Sequence, residues 1–168
     1  MLRSAHLTLT LALAAVLLPV TAHAVITPLS ASMDGAQANA GAGTGSPGTG
    51  SASITLDTDT NLLSWSITWS GLISTPILMH FHGPALPNQN AGVQVGTGVA
   101  GPPVVGNVIL GVGQVNDLLA GLWYLNLHTT TFGGGEIRGQ VVPEPAAGSL
   151  LALGLLGLAT LGRRRRTR

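Results

Sequence analysis

The clearest pattern in the chain is strict alternation. Leu63, Trp65, Ile67 and Trp69 interleave with Ser64, Ser66, Thr68 and Ser70. A period of two predicts a strand with one buried and one wet face. Ala52, Ile54 and Leu56 alternate in the same way with Ser53, Thr55 and Asp57. The cluster Asp57-Thr58-Asp59-Thr60-Asn61 between the two runs predicts a turn, so the pair reads as a hairpin. The Trp65/Trp69 stripe is expected in the core, where indole rings bury large areas.

Shorter runs follow. Residues 77–82 (ILMHFH) predict a strand after Pro76, ended by Gly83-Pro84. Residues 104–110, 122–128 and 135–142 predict three more, and residues 29–33 an early one. Residues 40–53, rich in Gly, Ser and Thr, read as a flexible surface loop, and residues 85–103 as a long loop. Asn116 is expected to cap a single helical turn at residues 117–120. The sum is an all-β fold, an antiparallel β-sandwich or small barrel of about 6–8 short strands.

The two ends depart from this pattern. Arg3, an apolar run over residues 7–20 and the small-x-small site Ala22-His23-Ala24 occur in the order of a secretory signal. They predict an N-terminal signal helix cleaved by signal peptidase after Ala24. Pro143-Glu144-Pro145 precedes residues 146–162, which carry no charge, and then Arg163, Arg164, Arg165 and Arg166. A hydrophobic helix of that length just crosses a bilayer, and the arginines hold its end on the cytoplasmic side. Three segments follow: a signal at 1–24, a β domain at 25–142 and a tail at 143–168.

Removing the ends reverses the charge. The whole chain is formally +1, with seven basic residues, none of them lysine. Within residues 25–142 the only base is Arg138, against Asp34, Asp57, Asp59, Asp117 and Glu136, or 1 − 5 = −4. A phosphate-binding face needs several Lys or Arg, so nucleic-acid binding is excluded. Cysteine is absent, so neither disulfides nor a thiol nucleophile is available. No Gly-x-Ser-x-Gly elbow occurs. Glu136 and Asp117 are the one carboxylate pair to consider for glycoside hydrolysis. The expectation is a protein without enzymatic activity.

Three histidines survive the trimming: His80, His82 and His128. Side chains two apart on a strand share a face, so His80 and His82 project together. Tyr124, Asn126 and His128 share a face of a later strand, and Glu136, Arg138 and Gln140 a face of the last. If the apolar faces (Ile77, Met79, Phe81; Trp123, Leu125, Leu127; Ile137, Val141) meet in one core, the polar faces line up. Two readings stay open. In one, the histidines hydrogen-bond with Asn126, Glu136 and Arg138 in a polar sheet face that holds no cofactor. In the other, they bind Cu or Zn, since imidazole suits both metals and His-x-His is a ligand spacing. Arg138 would repel such a cation by roughly 4 kcal/mol at about 4 Å and an effective dielectric of about 20; Glu136 would offset it.

The pieces His80-Phe81-His82-Gly83-Pro84, Leu118 through His128 (LLAGLWYLNLH) and Gly134 through Gln140 (GEIRGQ after Gly134) resemble the CHRD domain, named for its occurrence in chordin, over roughly residues 29–142. One departure is that Gly35-Ala36-Gln37 runs into Ala38-Asn39-Ala40, where the family commonly has an acid and prolines. The resemblance implies an extracellular β-rich module and no common enzymatic activity. The His-x-His strand is also similar to the metal strand of copper-zinc superoxide dismutase, which uses further ligands and a disulfide. The Pro-Glu-Pro, apolar run and arginines resemble the PEP-CTERM sorting signal. That implies a Gram-negative-type source, transient anchoring in the inner membrane and processing by an exosortase-type enzyme. The product would stay on the outer surface or reach the extracellular matrix, where an exopolysaccharide or other matrix component would be its partner.

Overall fold

The structure, a computed structural model, describes residues 25–144. The signal segment with Ala22 and Ala24, and the tail from Pro145 through Arg163, Arg164, Arg165 and Arg166, lie outside the described residues. Among the described residues no helix is long and apolar enough to cross a membrane.

The strands are β1 (Ile26–Asp34), β2 (Thr49–Asp57), β3 (Leu62–Ser70), β4 (Pro76–His82), β5 (Val93–Gly96), β6 (Val104–Ile109), β7 (Tyr124–Thr129), β8 (Ile137–Gln140) and β9 (Val142–Pro143). One helix, α1 (Val112–Leu119), lies between β6 and β7. The expected antiparallel β architecture is present as one continuous curled sheet, a half-barrel. Its order is β5-β4-β7-β8-β1-β2-β3-β6, with β9 also on β1. β5 and β6 are the free edges. Strands far apart in this order nevertheless meet: Trp65 of β3 packs edge-on against Phe81 of β4 at 5.5 Å. The curl therefore gives the two halves a sandwich-like interior.

Period-two patterning sets which face is inside. Ala52, Ile54 and Leu56 of β2 and Leu63, Trp65 and Ile67 of β3 are buried, as are Met79 and Phe81 of β4 and Leu125 and Leu127 of β7. Trp69 is only half-buried at the open end of its strand. The β2–β3 turn forms as expected, with Asp57 Oδ1 accepting the N–H groups of Asp59 and Thr60. Asn61 takes the left-handed conformation that Asn tolerates.

Five local expectations are corrected. Residues 49–53 belong to β2, and residues 44–48 are pinned to Glu136 rather than free. The glycines there serve left-handed backbone at Gly41, Gly43 and Gly45. Residues 93–96 in the long loop form β5, whose four residues are too few to show a period. Ile77 is exposed, because a register shift between Pro76 and Leu78 takes it off the inner face. The expected turn at 117–120 is a helix over Val112–Leu119, and Asn116 lies inside it rather than capping it. Gly111 and Gly113 obscured its start; burial of Val115 and Leu118 sustains it.

Phe81 is fully buried and touches both Trp65 and Trp123. Phe81→Ala is expected to cost about 3–5 kcal/mol of stability. Ile109→Thr on the exposed edge is expected to stay within about 0.5 kcal/mol. Urea midpoints measure both; similar costs for the two variants would contradict this core.

Candidate metal centre

β4 and β7 pair with Leu78 opposite His128, His80 opposite Asn126 and His82 opposite Tyr124. Directly paired residues share a face, so these six side chains stand together on the side away from Met79, Phe81, Leu125 and Leu127. β8 adds Arg138 opposite Asn126 and Gln140 opposite Tyr124.

The three imidazoles converge. Ring centroids are 5.6 Å apart for His80 and His82, 5.3 Å for His80 and His128, and 5.9 Å for His82 and His128. One ring nitrogen from each lies within 4.8 Å of the others. Ligands on one tetrahedral zinc at roughly 2.0–2.1 Å stand about 3.4 Å apart. The rings need to close by about an ångström or so, the scale of a side-chain adjustment.

Their hydrogen bonds define two tautomers. His82 Nδ1 lies 3.0 Å from the Ala91 carbonyl, and His128 Nδ1 lies 2.9 Å from the Gly133 carbonyl. A carbonyl only accepts, so both Nδ1 atoms carry the proton and both Nε2 atoms present a lone pair. His82 Nε2 is buried with no partner, as is His80 Nδ1. His128 Nε2 receives only a long contact, 3.4 Å, from the Asn126 amide. Backbone carbonyls holding Nδ1–H while Nε2 stays open is how proteins orient metal-binding histidines. Of six buried side-chain polar atoms without partners among the described residues, three belong to this cluster: His80 Nδ1, His82 Nε2 and Asn126 Oδ1. Native interiors rarely leave such groups unsatisfied.

Burial favours the neutral form of His80 and His82. Burial draws the pKa of His80 below the ordinary histidine value, and His128 adds to it. Burial does the same to His82; the Ala91 hydrogen bond opposes it, while His128, His80 and Arg138 reinforce it.

Tyr124 links the histidines to Arg138. The His82 ring stacks on Tyr124 at 5.0 Å and 9°. The Arg138 guanidinium lies 3.5 Å from the Tyr124 ring centroid, a cation–π contact. Arg138 is 2% exposed, and its hydrogen bonds go to Asn90 Oδ1 at 3.3 Å and the Leu86 carbonyl at 3.4 Å. Gln140 turns aside to the carbonyls of Ala85 and Gly121.

Glu136 does not join this face, contrary to expectation. Its carboxylate accepts from Ser46 Oγ at 2.6 Å, Ile73 N at 2.6 Å and Thr129 Oγ1 at 2.7 Å. β8 begins only at Ile137, and left-handed Gly135 bends the chain before it, so Glu136 escapes the alternation. A Cβ at Gly135 would overlap the Asn126 side chain. Burial raises the Glu136 pKa, but the donors from Ser46, Ile73, Thr129 and Ser74 outweigh it and hold it below the ordinary glutamate value. Glu136 therefore offsets neither Arg138 nor a bound cation by contact. Asp117 lies on α1, while the Glu136 carboxylate is taken up by Ser46, Ile73 and Thr129. The sequence reading missed the Ala91 and Gly133 carbonyls, and Asn90 on its loop. Backbone acceptors have no side-chain signature.

Comparison with known protein families matches residues 29–141 to the CHRD domain. No curated protein and no solved structure matches the chain.

The lowered histidine pKa values set a pH dependence. Below pH 6.5, the ordinary value, the unfolded chain takes up protons that folded His80 and His82 resist. Stability of the metal-free protein should be complete above that pH and fall as pH drops through it. Glu136 adds a second loss only below its ordinary 4.5. Melting temperature against pH, in chelator, should show the first decline in the native chain and much less of it in a His80→Gln/His82→Gln double variant. An equal decline in both would contradict the assignment.

Proposed function

Because the chain belongs to the CHRD domain family, with 113 of its 168 residues matched, we propose that it is an exported, non-catalytic module of the cell surface or extracellular matrix whose histidine face binds a single Cu or Zn ion. The observation that carries the metal reading is the convergence of His80, His82 and His128, with His80 Nδ1 and His82 Nε2 buried and unpartnered. A purely structural polar face would be expected to satisfy those atoms. Three imidazoles match the nitrogen-rich sites of both metals and leave a coordination position open. Asn126 and Tyr124 pack around the rings, and the Ala91 and Gly133 carbonyls fix two tautomers.

The export reading rests on the ends of the chain. The three-part start supports cleavage after Ala24 by signal peptidase. Pro143-Glu144-Pro145 with the apolar run and Arg163 to Arg166 supports PEP-CTERM sorting through the inner membrane by an exosortase-type enzyme. The motif starts at the edge of the fold: Pro143 pairs with Leu29, and Glu144 N–H donates to the Pro28 carbonyl, both exposed at the surface. The partner on this reading is a matrix component such as an exopolysaccharide.

Elemental analysis after incubation with Zn²⁺ or Cu²⁺ and desalting tests the metal. The native protein should retain one equivalent of either ion, and His80→Ala and His82→Ala should retain at least about tenfold less. Circular dichroism should show both variants folded. Retention unchanged by both substitutions, or none in the native chain, would remove the metal from this reading.

A further inference from the structure

The charge around the histidine cluster is one-sided. Arg138 is the single base within residues 25–142, yet it is buried and carries no ion pair among the described residues. Asp34 stands opposite it across β1 and β8, but both Asp34 carboxylate oxygens are engaged by Gln37. Glu136 is held by Ser46, Ile73 and Thr129. The oxygens that do reach the guanidinium are neutral, an exposed-loop amide and a carbonyl, at 3.3 and 3.4 Å. A charge-assisted bond is about 2.7–2.9 Å. Apart from the Tyr124 ring, the guanidinium thus has only long contacts to neutral oxygens.

Arg138 is also close to the cluster. The Arg138 guanidinium carbon lies 3.5 Å from the Tyr124 ring centroid, and the His82 ring centroid lies 5.0 Å from it. Guanidinium and His82 ring are thus separated by no more than 3.5 + 5.0 = 8.5 Å. A carboxylate with one oxygen on a metal at roughly 2 Å and the other on a guanidinium nitrogen at roughly 2.8 Å spans about 6–7 Å from ion to guanidinium carbon. A divalent ion on three neutral imidazoles keeps its full charge and an open position.

We infer that the histidine face is a two-part site, in which a metal ion on His80, His82 and His128 and the Arg138 guanidinium together bind a small oxyanion of the carboxylate class. This rests on the metal reading above. The anion occupies the open coordination position, and its second oxygen replaces the Asn90 amide on Arg138. Asn90 is exposed and outside the strands, so its side chain can turn aside while Ala91 stays on His82 and Tyr124. Metal and anion then strengthen one another's binding by the same factor, as linkage requires.

Calorimetric titration of Zn²⁺ into the full chain tests this, in perchlorate, a weak ligand, and in acetate at equal ionic strength. Acetate should raise the zinc affinity by about tenfold or more. In Arg138→Met, zinc should still bind but the acetate effect should vanish. Arg138 is buried, so a second variant guards against misfolding. Asn90→Asp, a loop change, places a carboxylate on the guanidinium and should give acetate-independent zinc binding with the fold intact. Zinc binding with no acetate effect in the native chain, or an undiminished effect in both variants, overturns the two-part site alone. Absence of zinc binding in both media overturns the metal reading and this inference together.

Discussion

The pairing of β4 with β7 is the constraint on which the rest of the molecule depends. Its register puts Met79 and Phe81 against Leu127 and Leu125 inside, and His80 and His82 beside Asn126 and Tyr124 outside. Both sets follow from one alignment. A slip by one residue would turn imidazoles into the core and Phe81 into water. Burial of Phe81 between Trp65 and Trp123 thus fixes the histidines as firmly as any contact of their own. His80 and His128 are far apart in the chain, and nothing local brings them together. The apolar side of the sheet carries the energy that holds the polar side in place.

The domain buries two opposite charges and treats them differently. Glu136 is surrounded by donors from three separate segments, which satisfy its oxygens and stitch residues 44–48 and 73–74 to β7. That carboxylate is complete in itself and acts as a structural tie. Arg138 is stacked on an aromatic ring and only loosely hydrogen-bonded, with burial drawing its pKa down. A carboxylate could have neutralised the guanidinium, but the bend at Gly135 keeps Glu136 on another side of the sheet. The separation leaves the positive charge next to the histidines.

The strands with long, clean alternation were legible in the chain: β2 and β3 with Leu63, Trp65 and Ile67, and the faces of β4 and β7. The grouping of His80, His82 and His128 followed from the same period once a common core was assumed. What escaped was set by tertiary contact. β5 is four residues long and exists because β4 offers an edge. α1 begins at glycine-rich sequence and persists because Val115 and Leu118 are buried. Glu136 obeyed the alternation on paper but sits just before β8, where Gly135 breaks it. Ile77 was misplaced by a bulge that no local pattern announces.

β1 lies between β2 on one side and β8 and β9 on the other. The first strand of the domain is therefore completed by its last. During synthesis, or passage of the chain through any pore, β1 to β3 can assemble early, but one side of β1 stays bare until residue 143 has emerged. That side of β1 can be paired only once β8 and β9 are available. Completion of the fold then reports that the whole domain has arrived.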